Sequence, residues 1–263
     1  IRLLKPFLGA ASVKLVMVPL LLYFFSEVSL LGLLLNLLVI PTVAAVLASG
    51  VGGALAGLIF LPLGKLLILP GRVLLELYDI LGTLCCRLPF CSWVGGKPQL
   101  WQMTVYYGIL ILAVEGLRRV SREQVRRPAL VRGLWVCTCL LSLNFLGWKD
   151  REGLRITCLD VGQGDCSVVR FEGKTYVIDG GSSSVSGVGN YRILPFLKCM
   201  GIRKVDGIFL SHMDDDHING IAELLEAVKN RETSLRIDKI FLSECGEKQE
   251  KLAEMKQAGE KAG

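Results

Sequence analysis

The sequence predicts a two-part chain: a polytopic α-helical membrane region over residues 1–148, followed by a soluble α/β segment over residues 149–263. Three observations predict it. Hydrophobic residues make up 52% of the 263 and the mean hydropathy is +0.50, more apolar than the ~45–50% of an ordinary soluble domain. Nearly all the long apolar runs lie before Trp148, so the excess belongs to one part of the chain. After Leu154 short β-rich runs alternate with helical patterns, as in a soluble α/β segment. Both ends, Ile1 and Gly263, read as cuts within a longer chain, and internal apolar segments insert without a cleavable leader.

A helix that crosses a bilayer needs ~20 mostly apolar residues. Five stretches qualify: 7–25, 28–48, 53–70, 101–117 and 130–148. The first carries Lys14 and Pro19 and the second Asn36 and Pro41. Such residues are tolerated where neighbouring helices or a water-filled path satisfy them, which favours a packed bundle over isolated anchors. Gly50, Gly52, Gly53 and Gly57 permit close approach of helices around the third stretch. Between residues 72 and 88, Arg72, Glu76, Asp79 and Arg87 are interleaved with apolar residues at helical spacing. That pattern predicts a helix lying in the membrane interface, with a short extra span as the weaker alternative.

Basic residues set the orientation. Arg118, Arg119, Arg122, Arg126, Arg127 and Arg132 crowd the link between the last two stretches, a cytoplasmic signature. The fifth stretch then runs outward, and everything after about residue 149 lies outside the cytoplasm. Arg2 and Lys5 fall inside by the same count, whereas Lys149 and Arg151 dissent mildly. The net charge of +6 decides nothing about nucleic acid, because arginines beside membrane helices account for it. The nine cysteines include no zinc-ribbon pair. Most read as small apolar residues, and Cys85, Cys86 and Cys91 are close enough to pair in an oxidising compartment.

In the soluble part, residues 154–161, 166–171 and 174–181 read as strands joined by the turn signals Gly162 to Asp165 and Glu172-Gly173. A Gly- and Ser-rich loop, a helix over 191–200, a strand at 207–212 and an amphipathic helix after His217 follow. Residues 238–243 give a further strand, and the charged remainder from Gly246 a helix or frayed tail. The only two histidines, His212 and His217, share one six-residue window with Asp214, Asp215 and Asp216, between an apolar strand and a helix. Imidazoles and carboxylates at that spacing suit one or two ions of Zn or Mn; a solvated acidic turn is the plainer alternative. No histidine outside the window is available as a base, so Ser182 to Ser184 read as loop rather than nucleophile.

The window, the hairpin Asp160-Val161-Gly162-Gln163-Gly164-Asp165 and the loop Asp179-Gly180-Gly181 together resemble metallo-β-lactamase-like hydrolases, in the variant with Asp at the second position of the motif. With Leu194-Pro195-Phe196-Leu197, Gly201-Ile202, Ser211-His212 and the membrane stretch 24–41, the chain is similar to the ComEC family of competence channel proteins. That resemblance implies an αββα sandwich of which only the N-terminal half is present. It implies that His212 and Asp214 serve one divalent metal, Zn or Mn, and that Asp216 and His217 serve a second. Asp216, the catalytic candidate, would also orient the attacking water. Asp179 would hold the ligands from behind, and Asp160, Gln163 and Asp165 would line the same edge or merely build the hairpin. The remaining ligands would come from the absent second half. The implied function is DNA internalisation across the bacterial cytoplasmic membrane in natural transformation, with an outer nuclease-like domain acting on incoming DNA. The implied partners are DNA, whose single-stranded product is translocated, the lipid bilayer, other competence proteins and further copies of the chain in an oligomer. Two alternatives remain: a transport-only channel whose outer domain binds DNA, and a membrane-tethered hydrolase with a non-DNA substrate.

Overall fold

A computed structural model describes residues 4–86, 88, 92–122, 128–148, 153–243 and 249–262. Arg2, Arg87, Cys91, Arg126, Arg127, Lys149 and Arg151 lie outside the described residues. The chain forms two compact units, residues 1–17 with 29–93 and residues 18–28 with 94–263. They do not divide at the compositional change near residue 148.

Helix α1 spans Leu4–Phe25, and strand β1 Glu27–Ser29 follows it. The first unit is dominated by α2 (Gly32–Ile59) and α3 (Leu61–Cys86), an antiparallel pair. The chain breaks between them at Phe60, which adopts an extended conformation (φ −144°, ψ 104°) while its amide still reaches Ala56 O. The stretch 53–70 is therefore not one helix, and 72–88 is not a separate one. Pro70 fails to end α3 because a neighbour repairs the ladder: Ser49 Oγ donates to Leu67 O at 2.6 Å and accepts from Gly71 N at 3.0 Å. Beside Pro41, Thr42 bonds back to Leu38 O at 2.6 Å and pairs with the Tyr78 hydroxyl of α3. Toward the turn the backbones nearly touch. A Cβ on Gly64 would lie 2.5 Å from Gly57 Cα, whereas Gly50 and Gly52 face open space. Outward, the pair presents apolar side chains such as Leu58 and Ile59, 85% and 92% exposed. Within the described residues, 38–59 and 100–119 are long and apolar enough to cross a membrane, and 9–25 and 133–146 are shorter apolar helices.

Strand β2 (Ser92–Val94) leads to the second unit, whose helices α4 (Leu100–Arg122) and α5 (Pro128–Leu146) are antiparallel. Gln102, 3% exposed, donates to Phe145 O and Trp148 O and so ties the start of α4 to the end of α5. The rest is a five-stranded mixed sheet in the order β3–β4–β5–β7–β9. Its strands are β3 (Arg155–Cys158), β4 (Ser167–Phe171), β5 (Lys174–Ile178), β7 (Gly207–Leu210) and β9 (Ile240–Leu242). The first three run antiparallel, β3 and β4 joined by the loop 159–166 and β4 and β5 by the tight turn Glu172-Gly173, and β5, β7 and β9 run parallel. A π-helical turn (Gly189–Ile193) opens α6 (Leu194–Cys199), and α7 (Asp215–Lys229) and α8 (Gln249–Ala262) complete the helices. Two strands not predicted from sequence, β6 (Lys204–Val205) and β8 (Arg236–Ile237), pair in parallel at the sheet's end.

Alternation along the strands decides which face is covered. Val168, Val177 and Ile208 join Ile193, Leu197, Ile221, Leu224 and Leu225 in one core. The opposite face carries Tyr176, Ile178, Phe209 and Phe241, with Phe209 and Phe241 stacked at 4.4 Å. Those side chains stand exposed, Phe209 at 40% and Phe241 at 44%.

Candidate metal centre

Strand β7 carries the chain to the edge of the sheet, where Ser211, His212 and Met213 link it to α7. Buried Met213 pins that link. Asp214 takes the N-cap position with extended backbone (φ −85°, ψ 148°) and no cap bond from its own side chain. Its carbonyl accepts His217 N at 2.9 Å and Ile218 N at 3.1 Å. The first turn of α7 thus places Asp215, Asp216 and His217, and carboxylates there suit the positive end of the helix.

His212 and His217 face each other, with ring centroids 3.8 Å apart. His212, Asp216 and His217 offer ligand atoms that all lie within 4.8 Å of one another. Asp214 Oδ2 stands 3.7 Å from His212 Nε2. Ligands at ~2.0–2.2 Å from one ion are roughly 3.5 Å apart, so small side-chain rotations close this set on a cation.

Asp179 supports the two imidazoles from below. It ends β5 with a left-handed φ of 54°, is 6% exposed, and accepts Ser211 N at Oδ1 and Ser211 Oγ at Oδ2, both at 2.8 Å. Ser211 Oγ in turn lies 2.9 Å from His212 Nδ1. Since the hydroxyl proton goes to Asp179, Nδ1 of His212 is the protonated nitrogen, and Nε2 keeps its lone pair for a ligand. Asp179 Oδ2 is also 3.2 Å from His217 Nδ1. That buried nitrogen makes no hydrogen bond: the carboxylate is near enough for one, but the alignment does not suit it. His217 Nε2 faces Asp165 and Asp216, each at 3.9 Å. The donor set and the orphaned, carboxylate-backed imidazole fit a divalent cation.

The loops around the cluster are knitted through glycine. A Cβ on Gly164 would lie 2.3 Å from Gly181 O and 2.6 Å from Asp216 O, so the hairpin loop can press against α7 only without a side chain there. Gly180 N donates to His217 O at 2.8 Å and Asp165 N to Asp216 O at 3.3 Å. Asn219 clamps Ser182 through both its amide groups. Cys166 lies beneath, and burial, with Asp179 and Cys158 behind it, pushes its thiol up to about 12. It stays protonated and offers no nucleophile.

Of the residues singled out from sequence, His212, Asp214, Asp216, His217, Asp179 and Asp165 come together. Asp160 instead closes a turn, accepting Gly162 N at 3.3 Å. Gln163 contributes backbone, donating to Ser184 Oγ at 2.8 Å and accepting Ser183 N at 2.7 Å. No described contact joins Asp160 or the Gln163 side chain to the histidines. Ser211 and Asn219 were not foreseen as site residues. Only the adjacency of Ser211 to His212 hinted at the first, and nothing local hinted at the second.

Comparison with known proteins now bears on the whole arrangement. Residues 3–120 match the Competence protein family, and residues 159–256 match the Metallo-beta-lactamase superfamily. ComE operon protein 3 of Bacillus subtilis is 29% identical over 251 residues, 86% of this chain and 30% of that protein. The chain is thus similar to competence proteins in its first part and to metallo-β-lactamase-like proteins in its second, in the order that the sequence resemblance implies. Recombination protein 2 of Haemophilus influenzae is 35% identical over 96 residues, 35% of this chain and 12% of that protein. The chain spans less than a third of the length of these relatives. No solved structure matches it.

Proposed function

We propose that this chain is the part of a DNA-uptake membrane protein that joins the transmembrane passage to an outer, metal-dependent phosphodiesterase, and that it acts on incoming DNA during natural transformation. The observation that carries the reading is the convergence of His212, Asp216 and His217 at one sheet edge, backed by Asp179 and Ser211. The membrane helices that precede it fit a path rather than a tether, because α2 and α3 are tied by polar side chains beside their prolines, Ser49 bridging Leu67 O and Gly71 N and Thr42 meeting Tyr78. In this reading residues 1–148 form the membrane region and 149–263 half of an αββα domain lying outside the cytoplasm.

His212 and Asp214 would hold one cation, Zn or Mn, and Asp216 and His217 a second, with Asp165 at the same edge. Such ions supply Lewis acidity and charge neutralisation at a phosphodiester. The chain's own residues do the rest. Ser211 and Asp179 would fix the tautomer and ring angle of His212, Asp179 would back the His217 ring at Nδ1, and Asp216 would orient the attacking water.

The test replaces His212 and Asp216 together by Ala in the complete protein. DNA hydrolysis with Mn or Zn should fall by roughly a hundredfold or more, an effect of lost charge stabilisation rather than weaker binding. Unchanged metal-dependent hydrolysis would place the site elsewhere. A wild type that binds DNA and never cuts it would make the outer domain a binding module.

A further inference from the structure

Three separate pieces of the second unit meet at the end of α6, outside the metal-ligand window. The first is the end of α1 and the start of β1, with Tyr23, Ser26 and Glu27. The second is the segment 94–97 ahead of α4. The third is the turn that closes α6, residues 198–203. Gly96 N donates to Ser26 O at 3.1 Å and Lys97 N to Cys199 O at 2.9 Å. Arg203 Nε donates to Val94 O at 2.7 Å, and Lys198 Nζ to Glu27 Oε1 at 2.7 Å. That last pair is largely shielded, its side chains 17% and 30% exposed. Lys97 Nζ sits 4.3 Å over the Tyr23 ring. Gly96 and Gly201 both have positive φ, 76° and 68°, and a Cβ on Gly96 would lie 2.8 Å from Gly201 N. Only bare backbone allows that approach.

The far end of α6 is locked as firmly to the candidate site. Glu223 of α7 accepts Gly189 N at 2.9 Å and Asn190 N at 3.3 Å. A Cβ on Gly189 would lie 2.1 Å from Gly220 O, and one on Gly220 would lie 2.5 Å from Gly180 O. Gly180 in turn bonds His217 O. From Glu27 to His217 the chain of contacts is mostly backbone on backbone.

We propose that residues 23–27, 94–97 and 198–203 form a fixed joint that orients the hydrolase-like domain on the ends of the membrane helices, so that a DNA strand leaving the metal site is presented to the passage. The joint supplies a second hold besides the covalent link before β3. A domain held by a single link swings; one held at α6 as well does not. This rests on the proposed function for its purpose, while the joint itself is measurable without DNA.

The experiment uses the complete protein with Lys198→Glu, Lys198→Met, and the exchanged pair Glu27→Lys with Lys198→Glu. Hydrogen exchange at the Gly96 and Lys97 amides should quicken about tenfold or more in both single variants and return toward wild type in the exchanged pair. Uptake of DNA should fall about tenfold or more in the single variants, through misplacement alone, and recover in the pair, while cleavage stays within about twofold throughout. Unchanged exchange in both single variants, or no recovery in the pair, would overturn the joint. Quickened exchange with undiminished uptake would overturn its role in presenting DNA. If the wild type neither cuts nor imports DNA, the proposed function fails, and the amide exchange still decides whether the joint exists.

Discussion

The α2–α3 pair and the α7-covered sheet use the same apolar residue types in opposite ways. In α2 the leucines and isoleucines near the turn point outward, Leu58 and Ile59 at 85% and 92% exposure, while glycine, serine and threonine line the seam with α3. In α7, Ile221 and Leu224 are 0% exposed, and the polar side chains face out or toward the metal cluster. Under the proposed membrane setting of α2 and α3, the difference follows from the solvent each region answers to. In lipid, leucine gains nothing by leaving the solvent, so small residues and buried hydroxyls specify packing. In water, burying apolar area drives assembly.

Exchanging equivalent substitutions between the two regions is the sharpest way to break that contrast. Leu224→Ala should destabilise the α/β part by about 2–5 kcal/mol, because the surrounding core cannot collapse fully into the gap. Leu58→Ala should leave detergent-solubilised protein within about 0.5 kcal/mol of wild type. Denaturant titration, read through proteolysis at sites in each region, checks both. Equal losses would mean that α2 faces protein rather than lipid.

Gly64→Leu is the converse case, a large side chain forced into the seam. With Gly57 Cα only 2.5 Å from the site of the new Cβ, α2 and α3 must separate, at a cost of about 1–3 kcal/mol. The same change at Gly52, which faces open space, should be silent. Thermal aggregation of the two variants in detergent would separate them, and matching curves would refute the close approach.

A smaller effect is confined to the water-facing region. Asp206 accepts Thr175 N at 2.8 Å and lies beside Lys204, and these hold its carboxyl below the ordinary 3.8. A depressed folded value adds stability that is complete above the ordinary carboxylate range and is lost as the pH falls through the folded value. Asp206→Ala should therefore lower the melting temperature by a few degrees at most at pH 7. The gap between the two proteins should narrow below about pH 4. A gap that persists unchanged into acid would assign the effect to packing instead of charge.

The sequence made some of this legible for identifiable reasons. Short hairpins with Gly-Asp and Glu-Gly turns, and a histidine–aspartate window between a strand and a helix, are local signals, and the structure puts them where local rules put them. The helix break was not legible. From Leu30 to Leu69 the run stays predominantly apolar, so the one local sign of a new start, Pro62 in the first turn of α3, is submerged, while Pro70 marks a stop that Ser49 removes from across the seam. The strands β6 and β8 are two residues each, too short to leave a period. Ser211 matters because it also bonds Asp179, 32 residues away in the chain, and Asn219 acts through Ser182, 37 residues away. The joint at Lys198 depends on Glu27, 171 residues upstream. Long-range pairs of this kind need the fold before they can be read.

The central claim is that His212, Asp216 and His217 form a metal centre, and counting ions tests it most directly. The complete protein, dialysed to equilibrium against Mn or Zn and assayed for bound metal, should retain at least one ion per chain, and His212→Ala with Asp216→Ala should lose it. The loss should leave the fold intact, since both side chains are partly exposed. Equal metal content in the wild type and the folded double variant would contradict the account.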